Sequence, residues 1–169
     1  MTYHYRRLGS DDLQPMRDLL GVFAEAFGEP NTYLAAPPRD SYFRCLLSQD
    51  HFIALIAVKE EQVVGGLTAY VLYKFEQQRS EIYIYDLAVA KTHRRRGIAT
   101  ALIQCLQDLA KSCQAWVIFV QADPDDEPAM NLYASLGNRE TVYHFDIPVE
   151  RSLKSTGRKS QTQSGGSIC

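Results

Sequence analysis

Residues Asp86–Thr100, DLAVAKTHRRRGIAT, decide how this chain reads. The first four residues close an apolar run, EIYIYDLAV (Glu81–Val89), rich in the β-branched and aromatic residues that favour strands. A short basic turn, Lys91–Arg96, leads to Gly97, and from Gly97 to Ser112 the residues Ile98, Leu102, Cys105, Leu106 and Leu109 recur with helical spacing. The first turn of a helix leaves backbone N–H groups unpaired and carries partial positive charge. A small residue there lets an anion reach the backbone, and Arg94, Arg95 and Arg96 add charge at the mouth. Strand, basic turn and helix start together suit a pyrophosphate held without a metal. A solvated basic turn ahead of a plain amphipathic helix fits the same letters.

Working outward, Tyr3–Leu8 reads as a first strand. Ser10-Asp11-Asp12 then offers capping chemistry for a helix through Phe27. Residues 28–39, with Pro30, Pro37 and Pro38, read as a loop, and a short helix follows to Leu47. His51–Val58 and Gln62–Tyr73 form a hairpin around Glu60-Glu61. Gly65-Gly66 inside its second arm predicts a bulge or a close backbone approach. Beyond the helix that starts at Gly97 come a strand (Gln114–Gln121), an acidic loop (Asp123–Glu127), a helix from Pro128 to Ser135 and a final strand over Glu140–Ile147. The order predicts an α+β domain over residues 1–150, built on one central, mixed, mostly antiparallel sheet flanked by helices. Residues 151–169, polar and basic, read as a disordered tail.

The 169 residues suit one domain. The whole chain carries 18 Lys and Arg against 20 Asp and Glu. Arg151, Lys154, Arg158 and Lys159 all lie in the last 19 residues, which hold no acid, so residues 1–150 carry 14 basic against 20 acidic groups, a net −6. An acidic body argues against nucleic acid as the partner and is compatible with a cationic substrate. No apolar run approaches the roughly 20 residues of a membrane helix, and no apolar stretch follows the N-terminal basic residues, so a cytoplasmic protein with no membrane partner is expected. The four cysteines are scattered, with no CxxC and no histidines at ligand spacing, so neither a disulfide framework nor a metal site is expected.

Arg94-x-x-Gly97-x-Ala99 resembles the coenzyme A signature of the GNAT superfamily of N-acetyltransferases, and PAMNLYASLG (Pro128–Gly137) resembles that superfamily's following helix. The resemblance spans residues 3 to 147. It is closest to the small aminoglycoside 3-N-acetyltransferases of this superfamily, through FIAL (Phe52–Leu55), the stretch from Ala69 to Gln77, RSEIYIYDLAV (Arg79–Val89), HRR (His93–Arg95), GIATALI (Gly97–Ile103), VQAD (Val120–Asp123) and HFDI (His144–Ile147). It implies a GNAT fold, acetyl-CoA as cosubstrate with no metal, an aminoglycoside acceptor of the gentamicin type acetylated at its 3-amino group, and a homodimer. Leu87, Ala88 and Val89 then pair with the pantetheine arm, and Arg94, Arg95, Arg96, Gly97, Ile98, Ala99 and Thr100 surround the pyrophosphate, with Asn131 a further coenzyme A contact.

Attack of an amine on a thioester needs a base near the amine and an acid near the sulfur. Asp86 interrupts an apolar run, where a charge is costly unless it serves something. The resemblance places the catalytic carboxylate there too. A structural aspartate paired with a nearby arginine is the competing reading. Tyr133, the tyrosine of Leu-Tyr-x-x-x-Gly, is the implied acid; an aromatic packed in a core is its alternative. Several ammonium groups on the acceptor call for several carboxylates. Asp123, Asp126 and Glu127 in the acidic loop, with Glu81 and Asp146, are the candidates, although acids before a helix also serve as plain caps. Pro124 and Asp125 depart from the related pattern and put the loop's shape in question. A polyamine or protein amine would suit the same acids, and a coenzyme A-binding domain without catalysis is the third reading.

Overall fold

The computed structural model describes residues 2–149. The expected tail, 151–169, lies outside them. The chain divides into two compact units, one to Asp123 and one from Pro124.

In the first unit, five strands stand in sequence order: β1 (His4–Arg7), β2 (Phe52–Lys59), β3 (Gln62–Tyr73), β4 (Ser80–Val89) and β5 (Ala115–Val120). The first three pairings are antiparallel, and β4 runs parallel to β5. That parallel step requires a crossover, supplied by α4 (Ile98–Ser112). The sheet's two faces are covered separately. On one, α1 (Leu13–Phe27) and α3 (Asp40–Ser48) bury Leu19, Phe23, Phe43 and Leu47 against Phe52, Ala54, Ile56 and Ala88. The other is covered by α4, which packs across β2–β5 and buries Ile98, Leu102 and Leu106. β2 and β3 are apolar on both sides because both sides are covered.

Both readings of Gly65-Gly66 hold. The β2–β3 register shifts between Ala57 and Val58, leaving Val64 as the extra residue beside the pair. A Cβ on Gly66 would lie 2.5 Å from the Leu55 carbonyl oxygen and 2.6 Å from a Leu19 methyl. Asp12 does not cap α1 with its side chain; it accepts from the Gly9 N–H at 2.8 Å and pairs with Arg6 at 2.8 Å.

Two elements differ from expectation. Residues 28–39 are not all loop: α2 occupies Pro30–Leu34, with proline at its first position, where its missing N–H costs nothing. The second unit holds α5 (Glu127–Ala134), but no strand follows over residues 140–147. The alternation there is that of a strand, yet Tyr143, Phe145 and Ile147 stand 81–92 % exposed. A strand forms only against a partner edge, and among the described residues none pairs with this segment. No described helix is long and apolar enough to cross a membrane.

Candidate active site

The site is built where β4 leaves β5. Their last register pair is Ile84 with Val120, whereas β4 stays paired to β3 as far as Val89 with Gly65. Among the described residues, 85–89 therefore have a strand on one side only, and their other edge, apart from the Val89 carbonyl that Arg94 takes, leaves backbone N–H and C=O groups without a strand partner. The β3–β4 register also shifts here. Thr68 stands opposite Asp86 and Ala69 opposite Ile84, so Tyr85 is an extra residue in β4. Such a bulge re-aims the side chains beside it.

The turn beyond β4 is held by its own residues. Lys91–His93 form one 3₁₀ turn. Arg94 Nε donates to the Val89 carbonyl at 3.0 Å, so this guanidinium braces the turn against the strand end. The His93 ring meets the Tyr3 hydroxyl through Nδ1 at 3.1 Å. Arg95 and Gly97 both take left-handed backbone, at φ 60° and 76°. Gly97 then starts α4, and with Ala101 N–H bonding back to the Gly97 carbonyl, the N–H groups of Ile98, Ala99 and Thr100 belong to the helix's unpaired first turn. Open space surrounds the position a Gly97 Cβ would take, so the glycine is there for its φ. Ile98 is buried, and its side chain belongs to the core.

Asp86 lies on the α1–α2 side of the sheet, partly buried. Tyr33 of α2 donates its hydroxyl to Asp86 Oδ1 at 3.0 Å, and Thr68 adds a second hydroxyl. Burial pushes the Asp86 carboxyl above the ordinary carboxylate value, against both hydrogen bonds, which favour the ion; the nearby charge of Glu29 raises it further. An aromatic series runs beside it. Phe52 meets Tyr70 at 5.2 Å, Tyr70 meets Tyr85 at 5.9 Å, Tyr85 meets Tyr83 at 6.0 Å, and Tyr83 stacks on Phe119 at 5.1 Å. Tyr33 and this series escaped the sequence reading. Tyr33 stands 53 residues before Asp86, in a proline-rich stretch that reads as loop, and its aromatic neighbours Phe23 and Phe27 were the one available signal.

The structure thus brings Asp86, Leu87, Ala88, Val89 and the turn from Arg94 to Thr100 together. Glu81 stands apart, five positions back along β4, about 16 Å at strand rise. It pairs with Lys74 at 3.3 Å and accepts from the Trp116 ring N–H at 3.3 Å. Asp123 is exposed beyond β5.

In the second unit, Asp126 caps α5 by accepting the Ala129 N–H at 3.1 Å, the capping role that acids before a helix also fill. Glu127 lies in the helix's first turn, and Asn131 and Tyr133 follow on it. Burial, with Asp126 adding to it, pushes the Tyr133 hydroxyl up to about 12, so it keeps its proton at neutral pH. Asp146 is exposed and pairs with His144 at 3.1 Å. Among the described residues, no group of three or more His, Cys, Asp or Glu is placed to hold a metal ion.

Comparison with known proteins places this arrangement. The model of the acetyltransferase (GNAT) family matches residues 16–137. N-alpha-acetyltransferase 30 of Schizosaccharomyces pombe is 30% identical over 107 residues, 62% of this chain and 69% of its own. Among solved structures, an aminoglycoside acetyltransferase from an uncultured soil metagenomic sample is 55% identical, with a TM-score of 0.87 over 89% of this chain and 100% of that one. A second soil metagenomic aminoglycoside acetyltransferase, in complex with sisomicin, is 31% identical, with a TM-score of 0.81 over 88% of this chain and 97% of its own. The five-strand mixed sheet flanked by helices is the fold of these proteins, and the chain belongs to the GNAT family of acetyltransferases.

Proposed function

We propose that this chain transfers the acetyl group of acetyl-CoA to the 3-amino group of the deoxystreptamine ring of gentamicin-type aminoglycosides, by direct attack in a ternary complex, and so inactivates them. The observation that carries the reading is Asp86. It is a partly buried, hydroxyl-bonded carboxylate at the point where β4 parts from β5, five residues before the turn that leads into α4.

Acetyl-CoA supplies an activated acyl group and a thiolate leaving group. The free edge of Leu87, Ala88 and Val89 suits its amide-bearing arm. The first-turn N–H groups of Ile98, Ala99 and Thr100, after the left-handed Gly97, suit its pyrophosphate. Arg95 and Arg96 border the same turn, and Arg94 contributes by bracing it. Asn131 is a further contact. Asp86 takes the proton of the acceptor ammonium, a task helped by a carboxyl held above its ordinary value. Tyr133, protonated at neutral pH, gives a proton toward the sulfur. Asp123, Asp126, Glu127 and Asp146 meet further ammonium groups, whereas Glu81 already spends its charge on Lys74. Acetylation removes one positive charge and donors from the drug. The two aminoglycoside acetyltransferases among the similar structures support this acceptor class.

The reading includes a homodimer. Tyr143, Phe145, Ile147 and Val149 alternate in sequence and stand 81–92 % exposed, and Trp116, Val117 and Phe119 of β5 are exposed. A second copy of the chain carries both complementary parts.

A protein or polyamine acceptor is the second reading, favoured by the likeness to N-alpha-acetyltransferase 30. A thiol-release assay with acetyl-CoA and gentamicin, kanamycin, spermidine or a peptide amine separates the two. Turnover confined to spermidine or the peptide would move the acceptor assignment.

A further inference from the structure

We propose that Tyr33 is a positioning residue for Asp86: its hydroxyl, donated to Oδ1 at 3.0 Å, pins one carboxylate oxygen and so orients the other toward the acceptor amine. The inference rests on the reading of Asp86 as the base. α2, which carries Tyr33, is five residues long and buries none of them. The Tyr33 ring lies on α1, 5.9 Å from both Phe23 and Phe27. Ring packing alone would be satisfied by phenylalanine. The hydroxyl instead reaches from α2 to β4, to a partly buried carboxylate.

The groups acting on one another around Asp86 come from three sides. Tyr33 and Glu29 belong to α2 and its N-cap, Thr68 and Tyr70 to β3, and Tyr83 and Tyr85 to β4. Both donors to Asp86, Tyr33 and Thr68, are neutral hydroxyls. The Tyr33 hydroxyl is itself pushed far above the ordinary tyrosine value, by burial first and then by Asp86, so it keeps its proton and acts as the donor throughout the working range. A hydroxyl that donates to a carboxylate favours the ion. Losing it lets burial and Glu29 act with less opposition, so the carboxyl takes up a proton at higher pH.

Tyr33→Phe keeps the ring and removes the bond. The expected result is a roughly tenfold or larger fall in kcat at neutral pH, the scale of one hydrogen bond to a charged group. The acid limb of the kcat/KM profile moves to higher pH, and KM for acetyl-CoA stays within about twofold. Tyr73→Phe, which removes an exposed hydroxyl at the far end of β3, leaves all three unchanged. A readout independent of turnover is the ¹³C titration of the Asp86 carboxyl, assigned by its absence in Asp86→Asn; it moves upward in Tyr33→Phe together with the acid limb. An unmoved carboxyl titration, or a fall in kcat equal at every pH, would overturn the proposal. Absence of turnover with every amine overturns the base assignment by itself, and the titration alone then decides whether Tyr33 holds the carboxylate.

Discussion

Asp86 carries two opposed demands, and their conflict is measurable. Its carboxyl is raised by burial, so the folded chain binds that proton more tightly than the unfolded chain does. Stability therefore falls as pH rises from the unfolded-state value through the raised folded-state value, and the cost is fully present above the latter. Asp86→Asn removes the buried charge and keeps a side-chain oxygen that accepts from Tyr33 and Thr68. Its melting temperature at pH 7 is expected to equal or exceed that of the parent, while kcat/KM falls by about 10²–10⁴, the range for a lost general base. Calorimetry beside the activity assay checks both. A variant that loses activity by unfolding would contradict this account. Asp86 was legible in the sequence because a lone acid inside IYIYDLAV demands a reason. Tyr33 was not, since nothing local marks a contact made across 53 residues.

At the scale of elements, glycines do separate work at two places. Gly97 starts α4 with a left-handed φ and no crowding. Gly97→Ala should cost about 1–2 kcal/mol from that φ and raise KM for acetyl-CoA more than it lowers kcat, read by denaturant melts and steady-state kinetics. Gly66 has an ordinary φ but no room, with Leu55 and Leu19 within 2.6 Å of a Cβ. Gly66→Ala forces β3 away from α1 and should lower stability by about 1–3 kcal/mol, the usual cost of overpacking. The doublet was legible because consecutive glycines in a strand mark a bulge or a close approach, and both are present. Periodicity found α1 and α4, because each has a face to bury. α2 was missed, since its five residues, starting at Pro30, include no fully buried side chain and leave no apolar pattern.

At the scale of the whole molecule, the unpaired segment after α5 matters most. Its alternation was read as a final strand, which the structure does not form over 140–147, because an alternation cannot say which edge it joins. If two copies supply one another's edges, light scattering on a sizing column gives a dimer mass, and Phe145→Asp with Ile147→Asp gives a monomer. A monomeric parent would contradict that assembly. The tail, residues 151–169, is expected to be dispensable: its deletion leaves kcat/KM within tenfold of the full chain.

The central claim is the acceptor position, and one measurement tests it most directly. Gentamicin is acetylated by the full chain with acetyl-CoA, with Asp86→Asn run beside it, and the product is examined by NMR. The account predicts a single product acetylated at the 3-amino group of the deoxystreptamine ring, formed by the parent chain and reduced by at least 10² in the variant. Acetyl on any other amine, or equal rates for the two proteins, would contradict it.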